Sequence, residues 1–98
     1  MASNSERNED RRQHLRYAVD LPASVTIGGR RVPCRLANVS SGGALISTSA
    51  GLSLGAQVEL DMPGTGTVTA TVVRLTETHV GLMFPGLVVI TPLLQRPS

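Results

Sequence analysis

The fold is decided by residues 19–39, which read VDLPASVTIGGRRVPCRLANV. Apolar residues occupy every second position of the first nine, which is typical of a strand with one buried face. Gly28 and Gly29 tolerate the positive φ angles of a tight turn, so residues 31–39 are predicted to return as a second, antiparallel strand. Pro33 has no backbone N–H and therefore predicts an edge position or a bulge in that second strand.

Four further strands are predicted downstream, where apolar residues recur between turns. They cover residues 44–48, 57–62, 68–75 and 80–84. In the 68–75 strand the apolar phase slips between Val72 and Val73, which indicates a bulge. Six short strands without a long helix predict an all-β fold, either a small antiparallel barrel or a sandwich.

The two ends of the chain differ in composition from its centre. Residues 1–10 are polar and charged without apolar periodicity, so they are predicted to form a flexible N-terminal arm in front of one domain over residues 11–98. Residues 87–94 are apolar and are predicted to cover an open end of the sheet as a strand or a short helix. The strand is favoured because β-branched residues precede Pro92.

Composition argues against several functional classes. The net charge is only +2, from nine arginines without lysine against seven acids, which is too small to indicate a general nucleic-acid binder. Cys34 is the single cysteine, and alternation predicts it to be a small buried hydrophobe rather than a nucleophile. His14 and His79 have no partners at metal-ligand spacing. We therefore expect a cytoplasmic protein that is not an enzyme, holds no metal or cofactor and does not insert into a membrane.

Arginines cluster just before the first strand, at Arg11, Arg12 and Arg16. A guanidinium offers a planar, permanently charged fork of donors that suits phosphate, and it can also stack on a base or bond the O6 and N7 atoms of guanine. A solvated basic linker, balanced by neighbouring acids, is the alternative interpretation of the same residues.

A second polar feature follows the second strand, in the loop of residues 38–43, NVSSGG. Asn38 and Ser40 supply short polar groups that could bond a ligand, and Gly43 would allow a close backbone approach. The alternative is a local turn in which the Asn and Ser side chains cap backbone groups.

With these two motifs in this order, the chain resembles the PilZ domain family. Residues 12–16, RQHLR, fit the family's R-x-x-x-R motif, and residues 38–43 fit its [D/N]-x-S-x-x-G motif. Residues 80–84, VGLMF, are similar to the family's final strand, so the resemblance spans roughly residues 8–90. It implies a six-stranded antiparallel PilZ-type β-barrel that binds the bacterial second messenger cyclic di-GMP.

The resemblance also implies roles for individual residues. Arg12 and Arg16 would grip phosphates and guanine edges, and Arg11 is an additional candidate. Asn38, Ser40 and Gly43, the three defined positions of the second motif, would hold a guanine from the barrel side.

The prediction is therefore a cyclic di-GMP receptor or adaptor whose N-terminal arm changes position on binding and signals to a separate, unidentified partner protein. The alternative is a non-binding PilZ-type interaction module in pilus assembly or motility. A barrel that binds single-stranded nucleic acid is disfavoured, because such sites stack bases on aromatic rings and this chain has only Tyr17 and Phe84. The ligand stoichiometry, one molecule or a stacked pair, and the oligomeric state stay open.

Overall fold

The protein is described by a computed structural model that covers residues 15–94, so Arg11, Arg12, His14 and the predicted arm over residues 1–10 lie outside the described part. All six predicted strands are confirmed, with bounds shifted by a few residues. They are β1 (Tyr17–Ile27), β2 (Arg30–Ser40), β3 (Gly43–Thr48), β4 (Gln57–Met62), β5 (Gly66–Leu75) and β6 (Val80–Met83), followed by the one-turn helix α1 (Thr91–Leu94).

The strands close into an antiparallel barrel in the order β1-β2-β3-β6-β5-β4, with β4 pairing back onto β1. Of the two folds that the strand pattern allowed, the barrel is therefore the correct one. The β1–β2 hairpin forms as predicted: Gly28 and Gly29 have φ angles of 58° and 80°, and Ile27 lies opposite Arg30. Pro33 pairs with β1 alone, because the β2–β3 ladder begins at Cys34, and this is the predicted edge position.

The core fills the barrel with the inward-facing residues of all six strands. Val25, Leu36, Ile46, Leu60 and Val72 are among its fully buried side chains, each from a different strand. Their burial removes apolar surface from water, which is the main stabilising contribution to a domain of this size. Cys34 is also buried, as predicted, and Phe84 belongs to the core as well.

Three irregularities interrupt the ladders. The slip predicted in β5 is confirmed, since the register shifts between Val72 and Arg74 and leaves Val73 as the bulge. A second bulge lies in β2, where the register shifts between Leu36 and Asn38. The third lies in β1, between Ala18 and Leu21. The β1 and β2 bulges were not predicted, and both lie beside the sequence motifs.

The C-terminal segment corrects one preference of the sequence analysis. Residues 84–90 lie outside helix and strand, and a single helical turn follows, although the strand was favoured. Pro92 lies in the first turn of α1, where a helix requires no N–H donor, so this proline is compatible with the helix. Ile90 and Leu93 are buried and complete the core. Within residues 15–94, no helix has the length and apolar character needed to cross a membrane.

Candidate functional site

The structure brings together one residue from each motif, Arg16 and Asn38. Arg16 immediately precedes β1, and Ala18 at the start of β1 lies opposite Asn38 on β2. Arg16 is therefore the diagonal neighbour of Asn38, a spacing that long side chains can bridge. Its Nη1 atom donates a hydrogen bond of 3.3 Å to Oδ1 of Asn38.

The bulge in β2 is what presents Asn38 on the outside of the barrel. Leu36 points into the core, so strict alternation would also turn Asn38 inward. Because Ala37 is the extra residue, Asn38 pairs with Leu45 on the outer face and Val39 enters the core instead. The three-residue spacing between the apolar Leu36 and Val39 was the sequence signal for this bulge.

Ser40 organises the loop that joins β2 to β3. Its side chain is buried, with the residue only 4% exposed. The hydroxyl accepts a hydrogen bond of 3.2 Å from the Gly42 N–H and donates one of 3.4 Å to the Gly43 carbonyl. These contacts are those of the local turn considered as the alternative for this motif, and they hold the loop in one shape.

Gly43 is required by the packing of the barrel itself. It pairs with Met83 of β6, and a Cβ atom at this position would collide with the Leu82 carbonyl oxygen. The sequence predicted a close backbone approach at Gly43, and the described approach is that of β6. A ligand contact by its main chain remains a proposal.

The loop is also fastened to the segment that follows β6. The Phe84 N–H donates to the Gly42 carbonyl at 2.9 Å, and the Val88 N–H donates to the Ser41 carbonyl at 2.8 Å. These two backbone hydrogen bonds therefore fix the loop against residues 84–88. The second motif is a rigid surface rather than a mobile loop.

A cavity of about 500 Å³ opens between these elements. Arg16, Ser40 and Gly43 are among its lining residues, so three of the predicted site residues meet at the same concave surface. The lining also includes the apolar residues Val73, Met83 and Leu87, none of which the sequence analysis identified. Phosphate-binding donors and apolar surface in one cleft are typical of a nucleotide site.

An ion pair supports the first strand close to Arg16. Arg35 donates from Nε to Oδ1 of Asp20 at 2.8 Å and from a terminal nitrogen to the Asp20 carbonyl at 3.3 Å. The hydrogen bond from Arg35, together with its charge, lowers the pKa of Asp20 below its ordinary value. Asp20 lies within the β1 bulge, so this pair ties the bulge to β2.

Groups that could support catalysis or metal binding do not converge on the cavity in the described part of the chain. Burial raises the pKa of Cys34 to about 11, which keeps its thiol protonated and unreactive at neutral pH. Nδ1 of His79 forms a hydrogen bond of 2.8 Å with the Thr78 hydroxyl, in the turn between β5 and β6. Across residues 15–94, no group of three or more His, Cys, Asp or Glu side chains could hold a metal ion.

Comparison with known proteins places the chain beside one family. The family model described as the PilZ domain matches residues 10–91, which is most of the chain and includes both motifs. A search of curated proteins found no match.

Proposed function

Since this chain belongs to the PilZ domain family, we propose that it is a bacterial receptor for cyclic di-GMP that passes its signal to a separate partner protein. The observation that carries the proposal is the hydrogen bond between Arg16 and Asn38 at the edge of the cavity. This bond joins the two motifs, and Arg16 of the first motif lines the cavity together with Ser40 and Gly43 of the second.

The ligand's chemistry fits the groups at this surface. Cyclic di-GMP carries two phosphates and two guanines, so its site needs charged donor forks together with short polar groups on a rigid support. Arg16 uses one of its five N–H donors on Asn38 and can direct others to a phosphate or to a guanine edge. In this proposal Asn38 and the backbone of the loop around Ser40 and Gly43 hold a guanine.

Arg12 completes the first motif, and Arg11 is an additional contact. We propose that the N-terminal segment that carries both arginines changes position when the ligand binds, and that this change is read by the partner. Binding without catalysis then suffices for the function, and the protein acts in the cytoplasm.

Titration calorimetry with cyclic di-GMP tests the proposal most directly. We expect measurable binding by the wild-type protein and a loss of about ten- to hundredfold or more in Arg12→Ala and in Arg16→Ala, because each removes a charge-assisted contact of about 1.5–3 kcal/mol. Binding should also weaken as salt is raised.

Arg30→Ala is the matched control. Arg30 is exposed and begins β2, about 26 Å along the strand from Asn38 at about 3.3 Å per residue. Its removal should leave the affinity unchanged. Absence of binding by the wild type would support the alternative of a non-binding interaction module, and equal affinity in Arg16→Ala would contradict the assigned site.

A further inference from the structure

We propose that Val73, Met83 and Leu87 form an apolar platform on which one purine base of the ligand packs, in the cavity that Arg16 also lines. The proposal rests on the proposed function and adds to it a set of base-positioning residues outside both motifs. These three side chains are called the apolar platform below.

The platform is assembled from three separate elements. Val73 is the bulge residue of β5, Met83 ends β6, and Leu87 lies in the segment that follows β6. Their exposed fractions are 49%, 52% and 72%, yet all three line the same cavity as Arg16. Single exposed apolar residues are common on proteins, whereas three that converge inside one cleft indicate a surface that is covered in the functional state.

The position of the β5 bulge explains how Val73 joins this surface. Thr71 pairs with Met83 and Val72 with Leu82, but the next pair is Arg74 with Gly81. Val73 is thus unpaired and exposed, two residues along β5 from Thr71, which pairs with Met83. A Cβ atom placed on Gly81 would lie only 3.2 Å from the Cβ atom of Arg74. The two strands are therefore tightly apposed beside the platform.

The chemical character of the lining residues identifies the part of the ligand that each contacts. Phosphates need donors and gain nothing from valine, methionine or leucine, so the platform suits the flat, weakly polar face of a base. A methionine thioether packs favourably against aromatic rings, and a guanidinium stacks on the other face of such a ring. Arg16 and Met83 line the same cavity, so a purine there can contact both kinds of group.

The first test uses polar variants of nearly constant size. We expect the double variant Met83→Gln/Leu87→Gln to bind cyclic di-GMP about tenfold more weakly than the wild type, because it removes apolar contact with the base. Both side chains are more than half exposed, so the unfolding midpoint should hardly change. Leu54→Gln is the matched control, since Leu54 is 63% exposed and does not line the cavity.

The second test observes the contact itself. The chain has three methionines, and ¹³C-methyl labelling reports Met83 together with the buried Met62 as an internal reference. A base stacked on the platform should shift the Met83 methyl signal upfield through its ring current, while the Met62 signal stays in place.

The outcomes separate the two proposals. Wild-type binding with an unshifted Met83 methyl group, or with full affinity in the double variant, would overturn the platform and leave the receptor function standing. No binding by the wild type would overturn both. An equal loss of affinity in Leu54→Gln would show that surface polarity in general weakens binding and would also contradict the platform.

Discussion

Arg16 and Asn38 stand 22 positions apart in the chain, and the guanidinium of Arg16 donates a 3.3 Å hydrogen bond to the side-chain oxygen of Asn38. Arg16 is exposed and Asn38 is half-buried, so this bond contributes little to the stability of the barrel. Its consequence is positional: it holds a flexible, charged side chain over the entrance of the cavity. An arginine that is already oriented loses less conformational entropy when it binds a phosphate or a base.

The first prediction concerns this orientation. Asn38→Ala should weaken cyclic di-GMP binding about tenfold, because Arg16 loses the hydrogen bond that orients it. The unfolding free energy should change by less than about 1 kcal/mol, because the amide that is removed is partly exposed. Combined with Arg16→Ala, it should show non-additive losses in a double-mutant cycle measured by calorimetry. Gln57→Ala removes an exposed amide from β4 and serves as the control. Strictly additive losses would mean that the two residues act independently.

The second prediction concerns Gly43. Gly43→Ala places a methyl group against the Leu82 carbonyl oxygen, so β3 and β6 must separate locally. We expect a destabilisation of about 1–3 kcal/mol, measured by chemical unfolding, which is typical of overpacking. Gly51→Ala has open space around its new methyl group and should be nearly neutral. Equal stability of both variants would show that the β3–β6 pairing tolerates a side chain there.

The third prediction concerns the pair that ties the β1 bulge to β2. Arg35 holds the pKa of Asp20 below 3.8 through its hydrogen bond and its charge, so Arg35→Gln should raise that pKa toward 3.8. In the wild type the stabilisation is present at neutral pH and is lost as the pH falls through the lowered pKa of Asp20. Carboxyl NMR of Asp20 over an acid titration measures the change. Arg31→Gln changes the arginine of a separate ion pair and should leave the pKa of Asp20 in place. An unchanged Asp20 pKa in Arg35→Gln would contradict the assigned cause.

The fourth prediction concerns Cys34. Its pKa is about 11 in the folded barrel against an ordinary 9.0, so the folded state retains the thiol proton more strongly than the unfolded state. The resulting stabilisation is complete below about pH 9 and is lost as the pH rises toward about 11, by an amount on the order of 2 kcal/mol. Unfolding free energies across this range should fall more steeply for the wild type than for Cys34→Ala. Parallel curves would show that the thiol does not titrate differently on folding.

The strands could be predicted because alternation of apolar residues reports directly which face of a strand is buried. The β1–β2 hairpin and the β5 bulge were predictable for the same reason, since two glycines mark the turn and two adjacent valines mark the slip. The small helix α1 differs from the prediction, because the β-branched residues before Pro92 favour a strand, whereas Pro92 itself is compatible with the first turn of a helix.

The candidate site could be predicted only in part. Sequence motifs identified Arg16, Asn38, Ser40 and Gly43, but their arrangement depends on the bulge at Ala37, which is signalled only by the three-residue spacing between the apolar Leu36 and Val39. The apolar platform depends on which strands become neighbours, and Val73 and Met83 meet only because β5 pairs with β6 after the barrel has closed. Such long-range pairing is not encoded in any local spacing.

The turn at Gly28 and Gly29 has a practical consequence for following this protein in cells. The arginines proposed to bind the ligand lie upstream of β1, and Leu93 of α1 is buried, so a reporter fused next to either segment adjoins a proposed binding element or a structural one. The turn is exposed, and added atoms at either glycine meet open space. Nearly the full length of β2 separates this turn from Asn38. A fluorescent or epitope insertion at the turn should therefore disturb the candidate site least.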